Sequence, residues 1–169
     1  NGFSGKVQHA LGIRFKNVAD VSTSEAFESD NDSKASSNLP LTSATFSNVT
    51  SVGPVMDTTW TPGNGANNYN TRFGAAVQIR RNSRLNIHNS IFLGWPRAIE
   101  IAQTPTMDAA AADSFNVRNN SWYGVKTTWL NLAGGTAPAG LNENWIAKPA
   151  YGNTIDKSSP NVAMLTNPY

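Results

Sequence analysis

The sequence predicts an all-β chain wound as a right-handed parallel β-helix, a solenoid segment with long loops and one short helix near residues 104–113. Three observations carry this prediction. In residues 73–101, Val77, Ile79, Leu85, Ile87, Ile91, Leu93, Ile99 and Ile101 fall mostly at alternate positions, the period of a strand. The apolar runs at 75–79, 85–87 with 91–93, and 98–101 are short, and polar corners separate them at 80–84, 88–90 and 94–97. No Asn-Gly or Asp-Gly reverses the chain between paired runs of this stretch, so the corners turn without making hairpins. An apolar–polar–Asn pattern also recurs at Phe15-Lys16-Asn17, Phe46-Ser47-Asn48, Ile87-His88-Asn89 and Val117-Arg118-Asn119. Coils of about 20 to 30 residues interrupted by variable loops give such an echo. Asparagine suits a corner because it tolerates the left-handed backbone region, and its amide can bond the amide of the next coil in a ladder.

Taken in order, the chain opens into strand-like sequence at residues 6–15. A solenoid beginning there exposes an edge that stacked repeats normally cap, so the reading expects a processed or partial piece of a longer protein. Residues 22–40 form a polar insertion, acidic at its centre and closed by Pro40. Residues 56–72 form a Gly/Asn/Pro loop that carries Trp60 and Tyr69. Residues 103–113 read as the helix, with Thr104 as N-cap, Pro105 at the first helical position and an Ala-rich body. The pattern fades after residue 124. The expected organisation is one β-helix domain over residues 1–169, with regular coils over 1–124 and an irregular part over 125–169 that ends in a strand at 162–165.

Composition narrows the function. Charged residues make up 14% of the chain, against about 25% in an average globular domain. Asn, Ser, Thr, Gly and Ala fill the difference, a mixture common in secreted β-rich proteins. The net charge of +2 is too small to argue for nucleic acid. There is no cysteine, which excludes a disulfide framework and thiolate metal sites. No run of about 18 apolar residues offers a membrane span.

The opening NGFSGKVQHALGIRF, the acidic FESDND before LPLTSATFSNVTSVGP, and FGAAVQIRRNSRLNIHNSIFLGWPRAIEI together resemble a family of large extracellular proteins of Bacteroidota. The resemblance covers most of residues 1–122. It implies a right-handed parallel β-helix, the C-terminal portion of a larger surface lipoprotein or of cargo of the type IX secretion system. An extracellular or outer-membrane location follows from it. Its motifs are structural and support the fold more than an activity.

Three sets of residues are candidates for chemistry. Glu28, Asp30 and Asp32 alternate, with Glu25 and Asn31 nearby, so in an extended segment the three carboxylates share one face. A hard cation such as Ca²⁺ relieves their repulsion, and a solvated acidic loop is the plainer reading. No other cofactor is expected. Arg80, Arg81 and Arg84, with Arg72, His88 and Arg97, surround the central coil. In β-helix polysaccharide lyases a basic residue takes the proton beside a uronate and arginines neutralise its carboxylate, so Arg80 or Arg84 with Asp30 or Asp32 is the candidate site for that chemistry. Corner arginines also serve simply as partners for acids. The third set is aromatic. Trp95 and Trp122 read as core caps, whereas Trp60 and Tyr69, in a polar loop, are expected to stack on sugar rings or meet a partner.

The sequence therefore leads to a non-enzymatic scaffold or ligand-binding subunit. Glycans or other outer-membrane proteins are its expected partners, and Trp60, Tyr69, Arg80 and Arg84 its expected ligand contacts. A lyase-type enzyme and an adhesive module are the alternatives.

Overall fold

A computed structural model describes residues 2–158. Short strands wind in coils, and each strand pairs with its counterpart one coil away. The first coil contains β1 (Lys6–Gln8), β2 (Leu11–Ile13) and β3 (Phe27–Ser29). The second contains β4 (Thr45–Ser47), β5 (Thr50–Val52) and β8 (Ala75–Ile79), with β6 (Thr61–Pro62) and β7 (Asn68–Tyr69) in the loop between the last two. The third contains β9 (Asn86–His88), β10 (Ile91–Leu93) and β11 (Arg97–Ala102). Helix α1 (Thr104–Ala111) then leads to β12 (Val117–Arg118), β13 (Ser121–Tyr123) and β14 (Thr128–Ala133), and β15 (Thr154–Asp156) begins a fifth turn. The long sheets run β1-β4-β9-β12, β2-β5-β10-β13-β15 and β3-β8-β11-β14. Every ladder is parallel. The architecture is the parallel β-helix that the alternation in residues 73–101 predicted.

Inward residues explain why the strands stay in register. In the third sheet Phe27, Val77, Ile99 and Leu130 form one inward row, and Ser29, Ile79, Ile101 and Leu132 the next. Slipping by one residue would turn these rows to solvent. The second sheet contributes Phe92 and Trp122, stacked at 5.2 Å and 10°. Phe27 packs edge-on against Phe46 and Phe92. Trp95 and Trp122 are both fully buried, Trp122 in a sheet row and Trp95 at a corner.

Left-handed residues turn the corners. Between the first and second sheets these are His9, Asn48, Asn89 and Asn119, with φ between 51° and 62°. Three of the four predicted asparagines therefore sit at the corner. The first coil uses His9 there, not Asn17, because β1 lies nearer the start than the echo suggested. The side chains of Asn48, Asn89 and Asn119 are exposed, so they do not form the amide ladder. That ladder lies one residue later, among Val49, Ser90, Asn120 and Asn153. Asn120 Oδ1 accepts the Ser90 N–H at 2.9 Å, Asn153 Oδ1 accepts the Asn120 N–H at 2.9 Å, and Ser90 Oγ accepts the Val49 N–H at 3.1 Å. At the next corner Gly53, Gly94 and Gly124 stack through backbone hydrogen bonds. A Cβ on Gly53 would lie 2.4 Å from the Gly94 carbonyl oxygen, which is why no side chain fits there.

Helix α1 is present, with its cap shifted. Gln103, at φ 66°, is the N-cap residue, and Thr104 Oγ1 instead accepts the Thr136 N–H. Beyond residue 124 the regular pattern continues further than the sequence suggested: β14 extends the third sheet and β15 the second. The strand expected at 162–165 lies outside the described residues.

The two ends of the stack differ. After the fourth coil, Leu141, Trp145, Ile146 and Tyr151 cover the core, with Trp145 packed against Phe115 and Tyr151 and its Nε1–H donated to the Ala110 carbonyl at 3.0 Å. The first coil has no such cover among the described residues. β1, β2 and β3 each end their sheet, and Leu11 and Phe15 are 70% and 68% exposed.

Candidate functional site

Residues that alternate with the inward rows of the third sheet point outward, and one of these outward rows is polar in every coil. It consists of Glu28, Gln78, Glu100 and Asn131, from β3, β8, β11 and β14. Strands lie about 4.8 Å apart, so the row is a straight line of hydrogen-bonding groups across the coils. Gln78 donates its amide to Glu100 Oε1 at 2.6 Å, and Asn131 donates its amide to Glu100 Oε2 at 2.7 Å. Arg97 reaches the same carboxylate at 3.2 Å. Glu100 is thus buried but satisfied, whereas Glu28 is exposed at one end of the row.

The following outward positions add charge. Arg80 pairs with Glu28 and, through Nε, with Asp30 Oδ1 at 2.6 Å; Arg81 reaches Asp30 Oδ2 at 2.8 Å. Burial alone would lower the Arg80 guanidinium, but Asp30 and Glu28 more than offset it and hold it above its ordinary value. Glu25 lies beside this network with its Oε1 buried and without a hydrogen-bond partner. Burial first, and the neighbouring Glu28 and Glu100 carboxylates second, push the Glu25 carboxyl up from its ordinary value against a hydrogen bond from Thr23.

The structure sorts the sequence candidates. It brings Glu28, Asp30 and Arg80 together. Asp32 does not share their face, because β3 ends at Ser29. Its carboxylate instead holds a turn, accepting the Lys34 N–H at 2.8 Å, the Ser36 N–H at 3.1 Å and the Ser36 hydroxyl. The Ca²⁺ reading needed three free carboxylates together. Two are taken by arginines and the third by a turn, and no group of three His, Cys, Asp or Glu side chains suited to a metal occurs among the described residues. Arg84 stands apart, donating to the carbonyls of Asn82 at 2.9 Å and Ser83 at 3.2 Å, and burial lowers its guanidinium from the ordinary value. Tyr69 is 3% exposed and belongs to the core, so its ring offers no face to a ligand. Trp60 is half-buried, with the Lys16 amine 4.9 Å above its ring and bonded to the carbonyls of Gly65 and Ala66.

Gln78, Glu100 and Asn131 were not singled out from the sequence. Their signal was present as one polar residue between two apolar ones in each strand: Val77-Gln78-Ile79, Ile99-Glu100-Ile101 and Leu130-Asn131-Leu132.

Residues 1–158 match the family model of the pectate-lyase like beta helix domain. No curated protein and no solved structure matches the chain.

Proposed function

The chain belongs to the pectate-lyase like beta helix family, and from that premise we propose that it is a non-enzymatic, polysaccharide-binding β-helix of the cell exterior. The ligand lies along the outer face of the third sheet. The polar row Glu28, Gln78, Glu100 and Asn131 is the observation that carries this reading. Gln78 and Glu100 are buried in the middle of the row, so Glu28 and Asn131 are the groups it offers to sugar hydroxyls, and their placement at opposite edges of a four-stranded face suits an extended polymer better than a compact ligand. Glu28 and Asn131, the more open ends of the row, make the first contacts.

The lyase reading is supported by the family itself. It requires a free base and an arginine available for a uronate carboxylate. Arg80, Arg81 and Arg97 all carry carboxylate partners on this face, which favours binding over elimination.

Affinity gel electrophoresis against neutral and uronate-containing polysaccharides tests the proposal. Retardation by at least one polymer is expected, with loss of retardation in a Glu28→Ala/Asn131→Ala double variant that remains folded. Free migration in every gel contradicts binding. Release of unsaturated uronate products would replace it with the lyase reading.

A further inference from the structure

The outer face of the first sheet holds a different set of groups. Phe46, Ile87 and Val117 point inward there, so Gln8, Ser47, His88 and Arg118 form an outward row in direct register. Arg118 differs from the arginines of the third sheet. It has no carboxylate partner among the described residues, and its Nε is buried with no hydrogen-bond partner. Its guanidinium instead lies 4.9 Å over the ring of Tyr151. Tyr151 is 3% exposed, and its hydroxyl donates to Asp113, so the ring is a fixed platform. Stacking through the guanidinium face consumes none of its N–H donors and holds the donor fork in one plane. His88, the adjacent residue in the row, is half-buried and has no side-chain hydrogen bond among the described residues. Burial and the Arg118 charge lower its imidazole from the ordinary value.

A cation without a counter-charge, pre-oriented by an aromatic ring and flanked by an imidazole and the Ser47 hydroxyl, lacks one component: an anion. We propose that His88 and Arg118 form an oxyanion subsite for a carboxylate or sulfate ester of an acidic ligand. Arg118 binds the group with its planar fork, as guanidinium groups bind oxyanions. An imidazole N–H of His88 supplies a further donor. The inference stands apart from the third-sheet row and does not depend on what that row binds.

The chain has two histidines, His9 and His88, and His9 is exposed at a corner, so imidazole NMR signals give a reporter and an internal control. Titration uses inorganic sulfate, a uronate oligosaccharide, a sulfated oligosaccharide and a neutral oligosaccharide. The His88 ring signals are expected to move with at least one charged probe and to stay in place with the neutral one, while those of His9 stay in place throughout. Which charged oligosaccharide binds more tightly identifies the source of the anion. Arg118→Gln is expected to weaken binding by tenfold or more. Arg118→Lys, which keeps the charge but loses the fork, serves where the first variant fails to fold, and is expected to weaken binding several-fold. Static His88 signals with all anions, equal movement with the neutral probe, or undiminished binding in the folded Arg118 variants would overturn the proposal.

Discussion

Asn120 Oδ1 accepts the Ser90 N–H at 2.9 Å, while the amide of the same side chain donates to the Ile87 carbonyl at 3.0 Å. One 1%-exposed side chain therefore satisfies two backbone groups of the preceding coil at the point where it leaves the first sheet. Asn120→Ala leaves the Ser90 N–H in the interior without a partner and removes a second bond to the Ile87 carbonyl, which keeps its place in the β9–β12 ladder. The expected cost is about 2 kcal/mol, within the roughly 1–3 kcal/mol of one buried orphan. Chemical denaturation compares the two proteins, and a loss below about 0.5 kcal/mol would show that the ladder is not structural.

Gly53 tests the next corner. Its hypothetical Cβ sits 2.4 Å from the Gly94 carbonyl oxygen and 2.8 Å from the Trp95 ring. Backbone on one side and a buried indole on the other leave no soft direction for relief. Gly53→Ala is expected to destabilise the fold by about 2 kcal/mol, in the range of overpacking. Gly12→Ala, where nothing lies within 4 Å, is the matched control and is expected to change stability little.

Glu25 gives a pH signature. Its folded-state value is raised, chiefly by burial, above the unfolded reference of 4.5. A raised value means that the folded state holds the proton more tightly. The contribution is complete below the unfolded value and is lost as pH rises through the folded value. Glu25→Gln, which cannot ionise, is therefore expected to be more stable than the parent at pH 7 and to lose that advantage near pH 4. Melting curves at the two pH values check this, and an advantage that is equal or larger at pH 4 would contradict it.

The acidic strand edge makes a prediction about metal. Glu28 and Asp30 are neutralised by Arg80 and Arg81. Added Ca²⁺ or a chelator is expected to leave the melting temperature unchanged. An Arg80→Ala/Arg81→Ala double variant, which removes the partners of both Glu28 and Asp30, is expected to cost about 1 kcal/mol per partly exposed ion-pair partner and to make the protein responsive to Ca²⁺ by freeing both carboxylates. A Ca²⁺-dependent rise in the unmodified protein would restore the cation site.

The legibility of the fold varied along the chain for physical reasons. In residues 73–101 most inward positions are Val, Ile and Leu, so the period of two is visible, and β8, β9 and β11 appear where it placed them; in β10 the alternation took Ile91, whereas Phe92 points inward and Ile91 is 38% exposed. β3 was hidden because just Phe27 and Ser29 face inward, and its neighbours Glu28 and Asp30 read as an acidic loop. β14 was hidden among glycines, prolines and tryptophans. The Arg80 pairing joins residues about fifty positions apart through ladder register, which no local pattern encodes. Tyr69 was misjudged because the polar loop that leaves Trp60 half-buried folds the Tyr69 ring back into the core.

The central functional claim is that a polysaccharide lies across the coils along the third sheet. Hydrogen exchange followed by mass spectrometry, with and without the polymer selected by affinity electrophoresis, tests it directly. The account predicts slower exchange in peptides spanning β3 and β14, where Glu28 and Asn131 lie, with those of β5 in the second sheet unchanged. Protection confined to other faces, or no protection at saturating polymer, would contradict it.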